Sequence, residues 1–188
     1  MGRPVILLDI DGVVCDFVGP VVGLINSRLA TNYKPSDVTD WDIMGSLGVG
    51  KIDAGVVYSR IKSEGFCAGL PAYPGAKDGV AALMEMAEVH PCTSPFASKY
   101  WLAEREQWLV NFGFSRKAVT FTHAKHLMRG DILVDDKAET ISRWGLTNPT
   151  GALLYNQPWN NSRVDLNSSR VRGWPAVVAR CARLLERA

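Results

Sequence analysis

Hydrophobic residues follow two rhythms along this chain, and the switches between them mark out the elements. Val5 to Leu8 form an unbroken apolar run, without the alternation that a strand with one wet face shows. This predicts a strand covered on both sides. From Val18 to Ala30 the period changes, and Val18, Val21, Val22, Ile25 and Leu29 fall on one helical face. A polar, Gly- and Pro-containing stretch over 31–50 holds Trp41-Asp42-Ile43-Met44, and a second helix is predicted from Ile52 to Ile61. No strand is expected between Val14 and Tyr73. Pro74-Gly75-Ala76 opens a helix that Val80, Leu83, Met84 and Ala87 continue, leading into a short strand from Val89 to Thr93. Alternating units follow: a helix from Tyr100 to Phe112, strands over 118–122 and 131–134, a helix over 138–144, a strand over 152–155 and a helix over 175–186. Strands alternating with helices predict an α/β fold with a parallel sheet flanked by helices.

Composition narrows the picture. The 188 residues suit one domain with a modest insertion, and 47% hydrophobic against 21% charged residues exclude a disordered chain. A formal net charge of +2 is too mild for a nucleic-acid binder, and no stable nucleic-acid complex is expected. Arginines do thicken towards the end, at Arg163, Arg170, Arg172, Arg180, Arg183 and Arg187. The last of them interleave with Val177, Val178, Cys181, Leu184 and Leu185 as the wet face of a helix. Cys15, Cys67, Cys92 and Cys181 lack any Cys-x-x-Cys pairing, which argues against a zinc site or a disulfide framework. The first apolar run is short and broken by Asp9, so no signal peptide is expected, and no segment reaches membrane-spanning length. The expected address is the cytoplasm.

Candidate chemistry collects where the strands end. The first strand closes in Asp9-Ile10-Asp11-Gly12. Side chains two apart on an extended segment leave the backbone on one side, so both carboxylates can face one small volume. Two anions that close need a cation, and a hard dication such as Mg²⁺ accepts carboxylate and carbonyl oxygens and binds phosphate as well. Gly12 allows the backbone to turn tightly beyond the pair. An Asp-Gly at a strand end is also an ordinary turn, so the rest of the chain has to decide. It supplies Asp135 and Asp136 at the end of a second apolar strand, Thr93 and Ser94 at the end of a third, and Lys125 between them.

These four groups, in this order, resemble the motifs of the haloacid dehalogenase (HAD) superfamily of aspartate-nucleophile phosphatases. Within it the chain is most similar to the 5'(3')-deoxyribonucleotidases, on the strength of Asp9 to Phe17, Gly65-Phe66, Leu70, Pro74-Gly75-Ala76, Cys92-Thr93-Ser94-Pro95, Lys125 and Asp135-Asp136. The resemblance implies a Rossmann-like, HAD-like core over 1–16 and 73–188, with a small helical cap over 17–72 inserted after the first strand. It implies that Asp9 is the nucleophile and Asp11 the acid and then the base. Mg²⁺ would rest on Asp9, the main-chain carbonyl of Asp11 and Asp136, with Asp135 in support. Thr93, Ser94 and Lys125 would hold the phosphate, while Phe17, Trp41 and Phe66 are candidates to stack on a base.

The activity so implied is Mg²⁺-dependent hydrolysis of (deoxy)ribonucleoside 5'- or 3'-monophosphates, with a nucleoside monophosphate as partner, no membrane, and room for a homodimer. The alternative keeps the chemistry and changes the substrate to another small phosphomonoester or a polynucleotide 3'-phosphate. A dehalogenase on this fold would need neither Asp11 as an acid nor a metal, and a non-catalytic relative would be expected to lack one of the acids. His123 and His126 flank Lys125 without a clear third metal ligand nearby. The similar nucleotidases tend to carry arginine where His123 stands, and an aromatic run where this chain has Phe66-Cys67-Ala68.

Overall fold

The computed structural model describes residues 2 to 186. Met1, Arg187 and Ala188, at the ends of the expected core segments, lie outside the described residues. The elements run β1 (Val5–Leu8), α1 (Val18–Leu29), α2 (Ile43–Ser46), α3 (Lys51–Ile61), α4 (Ala76–Met86), β2 (Glu88–Thr93), α5 (Trp101–Phe112), β3 (Thr120–Phe121), β4 (Ile132–Asp135), α6 (Ala138–Trp144), β5 (Ala152–Tyr155), β6 (Arg170–Val171) and α7 (Trp174–Leu185).

The strands form one parallel sheet in the order β3-β2-β1-β4-β5-β6. From β1 the chain steps outward to β2 and β3, then crosses back to lay β4 on the other side of β1. The sheet therefore changes direction between β1 and β4, and in open α/β sheets such a switch point opens a crevice at the carboxyl ends of the strands. The unbroken apolar runs reflect burial on both faces. Ile6, Leu8, Ile132 and Val134 pack into one cluster with residues of α1, α4 and α7, while Leu7 and Leu133 face the other way against Ile141 and Trp144 of α6. Truncating Leu133, fully buried, to alanine would cost about 2–5 kcal/mol. On the first face, Gly79 of α4 makes room for the Trp174 indole. A Cβ there would meet Trp174 at 2.1 Å.

Residues 17–72 carry α1, α2 and α3 and contribute no strand to the sheet. Its helices α1 and α3 pack together, and the Arg28 guanidinium donates to Asp53 at 2.7 Å across them. The two ends of this stretch lie side by side. Asp16 N donates to Pro71 O at 2.8 Å, and Tyr73 N donates to Val14 O at 2.9 Å.

Three local readings change. The strand expected over 118–122 is only Thr120–Phe121, because Arg116–Ala118 form a 3-10 turn and the strand is an edge paired only with Cys92 and Thr93. A four-residue helix, α2, lies inside the polar stretch, where the Asp42 carboxylate accepts Gly45 N at 3.0 Å and caps it. The sheet also gains the edge strand β6, held by β5 in a stretch with no strand-like pattern of its own.

Candidate active site

Pairing of β1 with β4 sets Leu8 opposite Val134, so the residues just beyond them emerge together. Asp9 N extends the pairing by donating to Val134 O at 2.9 Å. Asp9, Asp135 and Asp136 each offer an oxygen within 4.8 Å of the others, and all three are buried. Lys125, also buried, reaches into this group from a 3-10 turn after β3. Its Nζ lies 2.5 Å from Asp9 Oδ1 and 2.9 Å from Asp135 Oδ2.

Three buried carboxylates face a single ammonium, and their proton affinities show the shortfall. Burial and the charge of Asp9 push Asp135 up to about 6 against the restraint of Lys125 and the Lys137 N–H. Burial likewise raises Asp9, which Lys125 only partly offsets, and burial with the charges of Asp9 and Asp135 raises Asp136 well above the usual carboxylate range. For Lys125, burial acts downward, yet Asp135 and Asp9 together outweigh it and keep the ammonium charged.

The oxygens divide by task. Asp135 has both committed, Oδ2 to Lys125 and Oδ1 to the main-chain N–H of Lys137 at 2.7 Å. Asp136 has one committed: Trp159 Nε1 donates to Oδ2 at 2.8 Å, while Oδ1 is buried without a partner. The Pro158–Asn160 turn after β5 supplies this support. Asn160 Nδ2 donates to the main-chain oxygens of Asp136 and Tyr155, each at 2.8 Å. From the neighbouring position, Gln157 Nε2 donates to Gly12 O at 2.6 Å. Gly12 itself has φ of +86°, and a Cβ there would stand 2.1 Å from Asp136 Oδ2. On Asp9, Oδ1 accepts both Ile10 N at 2.7 Å and Lys125, which leaves Oδ2 for the cavity.

The Asp11 carboxyl stands outside this cluster. Its Oδ1 accepts from the Arg105 guanidinium at 2.5 Å, and its side chain keeps 24% of its surface exposed. Burial raises its proton affinity and Arg105 works against that rise.

Above these groups opens a cavity of about 510 Å³, lined by Asp9, Asp11, Lys125 and Asp136 at the floor and by the insertion on one side. Of the other expected residues, Ser94, Phe17 and Trp41 line it, as does His123, but Thr93 and Phe66 do not. The Thr93 side chain is fully buried at the end of β2 with its hydroxyl unpartnered, and Ser94 Oγ donates to Thr122 O at 3.2 Å. Phe66 packs edge-on behind Phe17, ring centroids 6.3 Å apart. Trp41 is 53% exposed, and the Lys137 ammonium sits 5.1 Å over its ring.

Several wall and support residues escaped the sequence reading. Tyr58, Phe96 and Trp101 add aromatic surface to the cavity. Trp159 and Asn160 fix Asp136, and Arg105 holds Asp11. For Trp159 and Asn160 a cue was present, since Gln157-Pro158-Trp159-Asn160 follows a strand that ends beside the acids. Arg105 carried no cue, because it sits in an otherwise polar part of a helical pattern.

The six-stranded parallel sheet with helices on its faces and acids at the switch point is the HAD-like hydrolase fold. Solved structures with that fold include a haloacid dehalogenase-like hydrolase from Streptococcus pneumoniae (TM-score 0.60, 11% identity, 94% of this chain and 97% of that one). Another is a HAD family hydrolase from Deinococcus radiodurans R1 with bound phosphate and sodium (TM-score 0.57, 14% identity, 97% and 96%). A curated relative from Staphylococcus epidermidis, named "Putative 5'(3')-deoxyribonucleotidase", is 24% identical over 143 residues, covering 75% of this chain and 78% of its own. A Staphylococcus aureus protein of the same name is 22% identical over the same length. The profile of the family described as 5' nucleotidase, deoxy (pyrimidine), cytosolic type C protein matches residues 3–184. The chain belongs to that family, and it is a phosphatase of nucleotidase type.

Proposed function

We propose that this protein hydrolyses (deoxy)ribonucleoside monophosphates with the help of Mg²⁺ and through an aspartyl-phosphate. The observation that carries the reading is Asp9: its Oδ1 is held by Lys125 and the Ile10 N–H, and its other oxygen is left for an aromatic-walled cavity. The cavity volume of about 510 Å³ lies within the range of small-molecule sites. Its floor is charged and its walls are aromatic, which suits a ligand with a phosphate at one end and a flat ring at the other.

Mg²⁺ fits the donor set. Asp136 Oδ1 is a buried oxygen without a partner, Asp9 contributes a second carboxylate, and the surplus of buried negative charge awaits a cation. Asp9, Asp136 and the main-chain carbonyl of Asp11 would hold it, with Asp135 keeping Lys125 and the Lys137 N–H in place. When bound, the ion would neutralise charge on the phosphoryl oxygens and orient them.

The rest of the chemistry belongs to the side chains. An Asp9 oxygen attacks phosphorus, a P–O bond forms and the ester P–O bond breaks, while the Asp11 carboxyl gives its proton to the departing sugar oxygen. Water then attacks phosphorus. Asp11 takes a proton from it, and the bond from phosphorus to Asp9 breaks to release inorganic phosphate and the free carboxylate. Lys125 offsets the charge on Asp9 and the phosphoryl group throughout. Ser94, once its hydroxyl turns from Thr122 O, and the backbone N–H groups at the end of β2 would donate to phosphate.

Release of phosphate from a panel of phosphomonoesters, with and without Mg²⁺, tests the activity. The base site is tested by Trp41→Ala, which should cost about 1–3 kcal/mol in kcat/KM for thymidine or deoxyguanosine monophosphate, the worth of one stacking contact. It should leave p-nitrophenyl phosphate nearly unchanged. A second reading, a phosphatase of another small phosphomonoester, is favoured by one observation: the Trp41 ring already stacks against Lys137. Equal losses on all three substrates would establish it in place of the first.

A further inference from the structure

Arg105 is among the largest fully buried side chains of the protein, and its placement has no ready account in stability. Among the described residues its guanidinium makes one ion pair, to Asp11 Oδ1, while Nε and Nη1 are buried without a nitrogen or oxygen partner and have only the Cys15 thiol close by. Burying a cation with unmet donors is costly, and an apolar side chain of similar volume commonly serves a core as well or better. What the guanidinium does is fix one carboxylate oxygen.

It is also unable to move. The Trp101 and Trp108 rings lie 5.2 and 5.3 Å from its central carbon, and the Cys15 and Cys67 thiols are close enough to feel its charge. The helix that carries it, α5, is itself clamped to the returning end of the insertion. Glu104 accepts Gly65 N at 2.7 Å and Ala68 N at 3.1 Å, and Trp108 Nε1 donates to Leu70 O at 2.8 Å. Three neighbouring positions of one helix thus grip the insertion and the Asp11 carboxyl together.

We infer that Arg105 is the positioning residue of the acid–base carboxyl: it holds Asp11 Oδ1 so that the other oxygen is left to exchange a proton with the leaving group. This rests on the reading of Asp11 as general acid. A carboxyl free to rotate would spend most of its time misaligned, and the loss would fall on substrates whose leaving oxygen must be protonated. A nucleoside leaves as a strongly basic alkoxide unless it is protonated, whereas p-nitrophenolate departs without a proton. Arg105 touches neither substrate nor phosphorus in this account.

The test compares kcat/KM, which reports phosphoenzyme formation, for thymidine 5'-monophosphate and p-nitrophenyl phosphate in the full-length protein. Arg105→Met should lose about 10²-fold or more on the nucleotide, at the low end of what a general acid contributes. The loss in kcat/KM should amount to less than threefold on p-nitrophenyl phosphate, whereas kcat, which also contains the water step that Asp11 assists, should fall on both substrates. Circular dichroism and a thermal melt establish that the variant is folded. If it is not, Arg105→Lys, which keeps the cation but loses the planar fork, carries the same comparison and should show the same selectivity with a smaller loss. Asp11→Asn serves as the reference. Should Asp11→Asn reduce both substrates alike, the general-acid reading itself is wrong. Should Asp11→Asn be selective for the nucleotide while the folded Arg105 variant is unselective or as active as wild type, the positioning role is overturned.

Discussion

Gly12→Ala is the substitution whose outcome the geometry constrains most closely. Two separate costs meet at this position. The backbone φ of +86° lies in the left-handed region, which an alanine enters at about 1–2 kcal/mol. The new Cβ would also stand 2.1 Å from Asp136 Oδ2 and 2.6 Å from its Cγ, so the carboxyl has to move. That carboxyl is only 1% exposed, its Oδ2 accepts from Trp159 and its main chain is held by Asn160. Moving it breaks a hydrogen bond to a charged group, worth about 1.5–3 kcal/mol. The sum is about 2.5–5 kcal/mol, and for a chain of this size roughly 2–4 °C of melting temperature accompanies each kcal/mol. Gly65→Ala separates the two costs, because Gly65 has φ of +84° and nothing within 4 Å of its would-be Cβ. Thermal melts of both variants, read with the Mg²⁺ concentration giving half-maximal phosphatase activity, test the reasoning. Gly12→Ala should melt lower than Gly65→Ala and need more Mg²⁺, while Gly65→Ala should keep the wild-type requirement. A Gly12→Ala protein that matches Gly65→Ala in both would show that nothing at Asp136 depends on the close approach.

Trp159→Phe keeps the ring but removes the donor to Asp136 Oδ2, and should weaken apparent Mg²⁺ affinity about 10–100-fold, the usual effect of losing a partner behind a metal ligand; a metal titration of activity that overlays wild type would refute this. EDTA should abolish phosphate release and Mg²⁺ restore it, with Ca²⁺ restoring it poorly because its larger and looser coordination misplaces the nucleophile; full activity in metal-free protein would contradict the metal assignment. Stability of the metal-free protein should fall between pH 5 and pH 7. Asp135, raised to about 6, and Asp9 and Asp136, also raised, bind protons more tightly folded than unfolded, so their contribution is complete below the ordinary value of 3.8 and is lost as pH climbs through the raised values. Melts in EDTA should show the fall in wild type and a shallower one in Asp136→Asn, and Mg²⁺ should stabilise wild type more at pH 7 than at pH 5. Identical pH profiles for the two proteins would rule out the buried acids as its source.

What the sequence exposes and what it hides here divide along one physical line. Val5 to Leu8 and Ile132 to Val134 are legible because burial on both faces demands an uninterrupted apolar run, and the acids that end such runs meet because adjacent parallel strands finish together. Asp9, Asp135 and Asp136 could therefore be placed beside one another without coordinates. The Thr120–Phe121 and Arg170–Val171 strands are edges, two residues long, whose pairing is imposed by the neighbour rather than by their own pattern. Phe66 and Thr93 looked like cavity residues because they stand near the right elements. A position near an element does not say which way its side chain turns: Phe66 packs behind Phe17, and Thr93 is buried with its hydroxyl unpartnered. Arg105 is the extreme case: in a helical register an arginine reads as solvated surface, whereas here Trp101, Trp108 and the Cys15 and Cys67 thiols surround it. Its charge is neutralised by a carboxylate 94 positions away in the chain, a pairing that no local period can encode. The clustered acids Asp9, Asp135 and Asp136 come from strand ends, where topology alone brings them together. The groups that aim them come from helices and loops whose meeting depends on the whole packed fold, so the orientation of Asp11 and Asp136 could be read only once Arg105 and Trp159 were seen against them.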